Sequence, residues 1–230
     1  MIYPPAKAFL AVLLFFAACL PAACADPELK AGGTAVAVPG PAGDFVEAGD
    51  KLRAAFFELL VPSNNRLLSA YLQRKALTQT SEGNRTVLDV YAMVEVPRRA
   101  EYADCTPQAF EKVLKSTEAY MGKWSAKNTG ELEQELNNHL KTLGAKPIEV
   151  GRPEMLGGIF RKSDAAGFAM LATSKVPGAT DTMATGFGLL RVKQRLILAY
   201  LYRKYESPET VRWVRTNLES WSDAVLAKNR

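Results

Sequence analysis

The chain has 230 residues, 48% of them hydrophobic, with a formal net charge of +5, one histidine and three cysteines. So few histidines and cysteines argue against the usual three- or four-ligand zinc sites, and so mild a charge lacks the dense basic stripe of a nucleic-acid binder. The length suits one domain, or at most two small ones, and is enough to bury about 70% of the unfolded surface without disulfides.

The chain opens with Lys7 followed by an unbroken apolar run from Ala8 to Leu20. The run is too short to span a bilayer comfortably and suits the core of a bacterial export signal. Ala23 and Ala25 satisfy the A-x-A rule, and Pro21 ends the helical core, so cleavage after Ala25 is expected. Phe16-Ala17-Ala18-Cys19 also resembles a lipobox, which makes lipidation at Cys19 the alternative. Cys24 sits in a poorer box because Pro21 occupies its Leu position. The expected location is the periplasm or the exterior, or else the membrane surface through a lipid on Cys19. Removing residues 1–25 removes only Lys7 from the charge and leaves Cys105 as the last cysteine, so no internal disulfide is expected.

Residues 26–44 are rich in Ala, Gly and Pro and are expected to form a flexible lead-in. A single globular domain is expected over 45–230. Segments 52–62 and 66–72 are apolar and separated by the turn chemistry Pro62-Ser63-Asn64-Asn65; both look like strands, with a short helix over Leu52 to Leu60 as the alternative. A polar loop follows over 79–86.

Val87 to Val96 is the clearest early strand. Leu88, Val90, Ala92, Val94 and Val96 form one wholly apolar face. The other face, which carries Asp89, Tyr91, Met93 and Glu95, is mixed and expected to be only partly covered.

Thr106 and Pro107 then make an N-cap and first helical turn, with Phe110, Val113, Leu114, Met121 and Trp124 at helical spacing. Cys105 and Phe110 stand at the spacing of a hydrophobic staple, a better account of this cysteine than a reactive thiol. A second helix is expected after Thr129, with a stripe of Leu132, Leu136, Leu140 and Leu143 and a stop at Gly144.

The C-terminal half patterns as an antiparallel meander: Met155 to Arg161, Phe168 to Lys175, Met183 to Val192 and Leu196 to Tyr202. In the last strand Leu196, Leu198 and Tyr200 point one way and Ile197, Ala199 and Leu201 the other, so both faces are apolar and a central strand is predicted. Ser207-Pro208-Glu209 starts a closing helix that turns Val211, Val214, Leu218, Trp221 and Val225 to the sheet.

No motif for catalysis or a cofactor emerges. His139 lies beside the leucine stripe, where packing or half-exposure is the ordinary outcome for a histidine. Glu131, Glu133 and Glu135 are spread around their helix and fit a solvated helix start. Gly186-Phe187-Gly188 falls within a predicted strand, the wrong context for a dinucleotide loop. Arg191, Lys193, Arg195, Arg203 and Lys204 surround the last hairpin and are expected to be solvated, with an anion-attracting rim as the alternative.

The order of these elements resembles PsbP-type and DcrB-type exported domains. The likeness is carried by VLDVYAMVEV, by TPQAFEKVL, and by a last strand with aromatic residues at its end that leads into a Ser-Pro-Glu helix start and a W-x₇-W pair, Trp213 and Trp221. It implies an α+β fold, an α/β/α sandwich around an antiparallel sheet, and a non-catalytic role in assembly, binding or envelope stress. No functional residue carries over. The expectation is an exported accessory or binding protein of the bacterial envelope, without cofactor, whose partner is an envelope protein or a small ligand. A hydrolase with carboxylates gathered only by the fold, and a lipid-anchored protein in contact with the membrane surface, are the alternatives.

Overall fold

The computed structural model describes residues 28–76, 88–124, 126–142, 147–176 and 179–230. Cys19, Cys24 and Ala25 lie outside the described residues, as do the 79–86 loop, Leu143, Gly144 and the Pro177-Gly178 turn.

A hairpin comes first: β1 (Glu28–Ala31) and β2 (Thr34–Ala37). The main sheet is antiparallel throughout. Its strands are β3 (Phe45–Glu47), β4 (Asn65–Gln73), β5 (Val90–Pro97), β6 (Glu149–Val150), β7 (Glu154–Arg161), β8 (Ala165–Val176), β9 (Ala179–Val192) and β10 (Arg195–Lys204). The spatial order is β3-β4-β5-β10-β9-β8, and β6 and β7 share the outer edge of β8. The meander read from the second half is therefore present, and β10 lies centrally between β5 and β9.

The alternation in β10 builds two cores. Ile197, Ala199 and Leu201 join Leu218, Trp221 and Val225 of the closing helix α4 (Pro208–Lys228). Residues 50–60 form α1, in which the π-helical Arg53–Phe57 joins the α-helical turns Asp50–Leu52 and Glu58–Leu60. The other two are α2 (Pro107–Gly122) and α3 (Ala126–Thr142). On the sheet face opposite α4, Phe110 and Leu114 of α2 pack with Phe168, Leu189 and Leu198. Beside them Phe57 of α1 packs with Leu67, Leu72 and Met93. The fold is α+β, a sheet held between helices on both faces. Each large side chain buried this fully contributes on the order of 1.5–3 kcal/mol.

Four readings of the sequence need correction. First, 52–60 is helical rather than extended, because Leu52, Phe56, Phe57 and Leu60 recur at i, i+4, i+5 and i+8 and dock together. Second, α1 covers the mixed face of β5, so Met93 and Glu95 are each only 1% exposed.

Third, the stretch 28–44 is not a flexible lead-in. Ala31, Val36 and Val38 are fully buried in the α4 core. Tyr71 Oη donates to the Val38 carbonyl at 2.7 Å, and Trp221 Nε1 donates to that of Pro39 at 2.6 Å. The Ala and Gly content concealed a short strand pattern, TAVAV. Gly32 is required at its turn: φ is +54°, and a Cβ there would lie 1.9 Å from the Glu101 carbonyl oxygen.

Fourth, α3 begins at Ala126, ahead of Thr129. Thr129 is inside the helix, and its Oγ1 accepts from Trp124 Nε1 at 3.0 Å.

Candidate apolar binding site

The face of the sheet opposite α4 carries a row of aromatic rings. Phe168, Phe187 and Tyr200 follow one another on β8, β9 and β10, with centroids 6.3 and 5.0 Å apart. Tyr202 and Tyr91 continue the row at 6.1 and 4.4 Å. Cross-strand register explains it, since Phe168 opposes Phe187 and Phe187 opposes Tyr200.

α1 covers one end of the row and α2 the other. Where α2 and α3 span Phe187 and Tyr200, a cavity of about 550 Å³ is left. Val113, Thr117, Tyr120 and Met121 line it from α2, together with Trp124 just beyond that helix. Leu132 of α3 and Pro62 of the α1–β4 turn close two sides, and Met155 and Met170, opposite each other on β7 and β8, form part of the floor. No charged side chain lines it. Ser116, Thr117, Tyr120 and Tyr200 supply its hydroxyls. Tyr120 and Trp124 meet edge to face at 5.4 Å. The helix roof is tied down by carboxylates: Glu135 accepts from Ser63 N at 2.6 Å, and Glu133 accepts from Val150 N at 2.8 Å.

These glutamates were expected to form a solvated helix start. Glu133 and Glu135 instead tie α3 to two different segments, while Glu131 is solvated as expected, 3.7 Å from the exposed Lys127. They do not converge, as their spacing predicts. Among the described residues no group of three or more His, Cys, Asp or Glu could hold a metal ion. The helix bearing His139 is described, but its side chain is not.

One buried acid escaped the sequence reading. Glu95, on β5, accepts from Asn65 Nδ2 at 2.7 Å. Burial pushes its carboxyl up to about 7, and the Asn65 bond works in the opposite direction. Burial, with Glu95 adding to it, also holds the Tyr200 and Tyr202 phenols well above their ordinary value. Glu95 is not part of the cavity lining. Its one sequence signal was a charge among apolar strand residues, which also fits a solvated face.

A second cavity of about 390 Å³ is polar and lined by Arg53, Arg66 and Arg98. Each of these arginines makes at least one contact, although the buried Arg53 Nε lies 3.7 Å from Glu58 Oε1 without a hydrogen bond. Arg66 forks onto Glu101, Arg98 Nε donates to the Asn65 carbonyl at 2.8 Å, and Arg53 Nη2 donates to that of Leu67 at 3.1 Å.

The cations around the last hairpin are paired as well, and Lys193 and Lys204 remain open to solvent as expected. Arg191 pairs with Asp164, Lys193 Nζ donates to the Ala35 carbonyl at 3.0 Å, and Arg195 binds Thr34 Oγ1 and Asp104, both at 3.0 Å. Lys204 pairs with Asp181 at 3.2 Å, and the Arg203 guanidinium lies 4.7 Å from the Trp213 ring centre.

Cys105 and Phe110 are buried in one cluster, as the staple spacing predicts, and Thr106 Oγ1 caps α2 by accepting from Ala109 N at 3.2 Å. Burial raises the Cys105 thiol pKa, the direction opposite to that of an activated nucleophile. Among the described residues no helix is long and apolar enough to cross a membrane.

No family model matches the chain, and no curated protein matches it by sequence. Two solved structures are similar. One is a point mutant of protein Mog1, 15% identical with a TM-score of 0.30, over 88% of this chain and 91% of that one. The other is the Ran-binding protein Mog1p of Saccharomyces cerevisiae, 14% identical with a TM-score of 0.29, over 87% and 88%. Neither likeness is close enough to bear on what this chain binds.

Proposed function

We propose that the protein is an exported, non-catalytic binding protein of the bacterial cell envelope that holds an uncharged, largely apolar small molecule between α2, α3 and the sheet. The observation that carries this reading is the cavity itself: about 550 Å³, with apolar walls, a few hydroxyls and no charge in the lining. That volume lies in the range of small-molecule sites, and a charged ligand would find no counter-charge in the lining. The leader from Ala8 to Leu20 supports export, and the resemblance to PsbP-type and DcrB-type domains supports a role without catalysis. A carboxylate-based hydrolase gains no support from the cavity, which presents no acid to a ligand.

Titration with the neutral dye N-phenylnaphthylamine tests the binding reading. One saturable equivalent is expected, and Val113→Trp, which fills the cavity from α2, should abolish it while circular dichroism stays unchanged. Absence of saturable binding to the parent protein would refute the reading. Export is tested by mass spectrometry of the protein recovered from the envelope: a chain beginning at Asp26 marks a free domain, a diacylated Cys19 marks a tethered one, and an unprocessed leader overturns export.

A further inference from the structure

Resting on the binding reading above, we infer that the ligand is a neutral conjugated ring system bearing an oxygen substituent, with its oxygen bonded by Tyr200. Two features of the cavity point to this class.

The first is the chemistry of the walls. Tyr120, Trp124, Phe187 and Tyr200 contribute rings, and Met121, Met155 and Met170 contribute thioethers. Aliphatic side chains are the minority, supplied by Pro62, Val113 and Leu132. An alkyl chain gains only area from such walls. A conjugated ring gains, beyond its area, about 0.5–1.5 kcal/mol for each well-placed aromatic neighbour and a similar amount from sulfur at a ring edge. The rings also stand at different inclinations: Phe187 and Tyr200 are within 26° of parallel, while Tyr120 and Trp124 are 73° apart. A flat ligand can therefore meet both stacked and edge-on partners in one site. Methionine lets the remaining walls adapt to its outline.

The second is an unused donor. Tyr200 lines the cavity, and its hydroxyl makes no hydrogen bond to any described residue. That hydroxyl is not among the fully buried unpaired polar atoms, so it opens onto the cavity rather than into packed side chains. Burial keeps it protonated well beyond neutral pH, so it can donate to an oxygen of the ligand.

Displacement of bound N-phenylnaphthylamine by three neutral probes provides the test. Phenanthrol carries ring and oxygen, phenanthrene the ring alone, and dodecanol the oxygen on an alkyl chain. Phenanthrol is expected to bind at least about tenfold tighter than dodecanol. Tyr200→Phe should weaken phenanthrol by about fivefold to tenfold and leave phenanthrene unchanged. Phe187→Leu should weaken both ring probes and spare dodecanol. Equal or tighter binding of dodecanol would overturn the ring class while leaving the binding reading intact. An unchanged affinity of Tyr200→Phe for phenanthrol would overturn the role of the hydroxyl. If the parent protein binds neither the dye nor any probe, the binding reading falls and this inference falls with it.

Discussion

Asn65 presents its side-chain amide to Glu95 while its own main-chain carbonyl is held by Arg98, so one residue joins a buried acid to a surface cation. Asn65 opens β4 at the end of the strand pair where α1 turns into the sheet. Glu95 owes its neutral-pH titration to this placement, beneath a helix and with a single amide bond.

The consequence for pH follows from the sign of that shift. The folded protein holds the Glu95 proton up to about pH 7, whereas a carboxyl of ordinary value 4.5 releases it earlier in the unfolded chain. The contribution is fully present below pH 4.5 and is lost as pH rises to 7. Glu95→Gln is therefore expected to match the parent at pH 4 and to exceed it by about 3 kcal/mol at pH 8. Urea unfolding at the two pH values checks this; parallel pH profiles would contradict it.

Gly186 faces α4, and a Cβ there would lie 2.8 Å from Val214 Cγ1 and 3.2 Å from Leu218 Cδ2. On the same strand as the cavity residue Phe187 but on its opposite face, this contact sets how closely α4 lies on the sheet. Gly186→Ala should cost about 1–3 kcal/mol. Gly188→Ala, whose nearest contact would be an ordinary 3.6 Å, should cost less, and comparative urea melts distinguish the two.

The β9–β10 hairpin turns on Lys193 and Gln194, both with positive φ, 46° and 62°. This is the left-handed pair that two-residue hairpins usually fill with Asn-Gly. Gln194→Gly keeps the carbonyl that accepts from Cys105 N and should raise stability by about 1 kcal/mol, read as an increase in Tm.

Cys105 is 6% exposed and its thiol pKa is raised. In the native protein it should react with Ellman's reagent only at the rate of unfolding, and at full speed in urea. Fast native labelling would contradict the staple assignment.

Much of the sheet was legible because its strands carry their own pattern. In β10, Ile197 and Leu198 point to different cores, and both being apolar told of two covered faces before any partner was known. The burial of Glu95 was not legible, because a strand's sequence shows which residues share a face and not which helix arrives over it. The covering element, α1, was itself ambiguous: in 52–60 a run of apolar residues satisfied both periods. The cavity was still less visible. Val113 and Met121 came from one helical stripe, Met155 and Met170 from two strands and Pro62 from a turn, so only their assembly makes a site. Composition misled at β1–β2, where small residues that suit a linker also suit a strand packed close to a helix.

Asn229 closes α4 and exchanges two hydrogen bonds with Ala37, its Oδ1 accepting at 3.0 Å and its Nδ2 donating at 2.7 Å. Asn229→Ala should cost about 1–2 kcal/mol and expose the 28–38 stretch to earlier proteolytic cutting.

That same pair also sets the order in which the molecule can be finished. The first hairpin and the stretch after it are held by Lys193, Arg195, Trp221 and Asn229, which follow their partners by 158 to 192 residues in the chain. Until the final helix exists, Val36 and Val38 have no core to enter, and the leading strands must wait beside a half-built sheet.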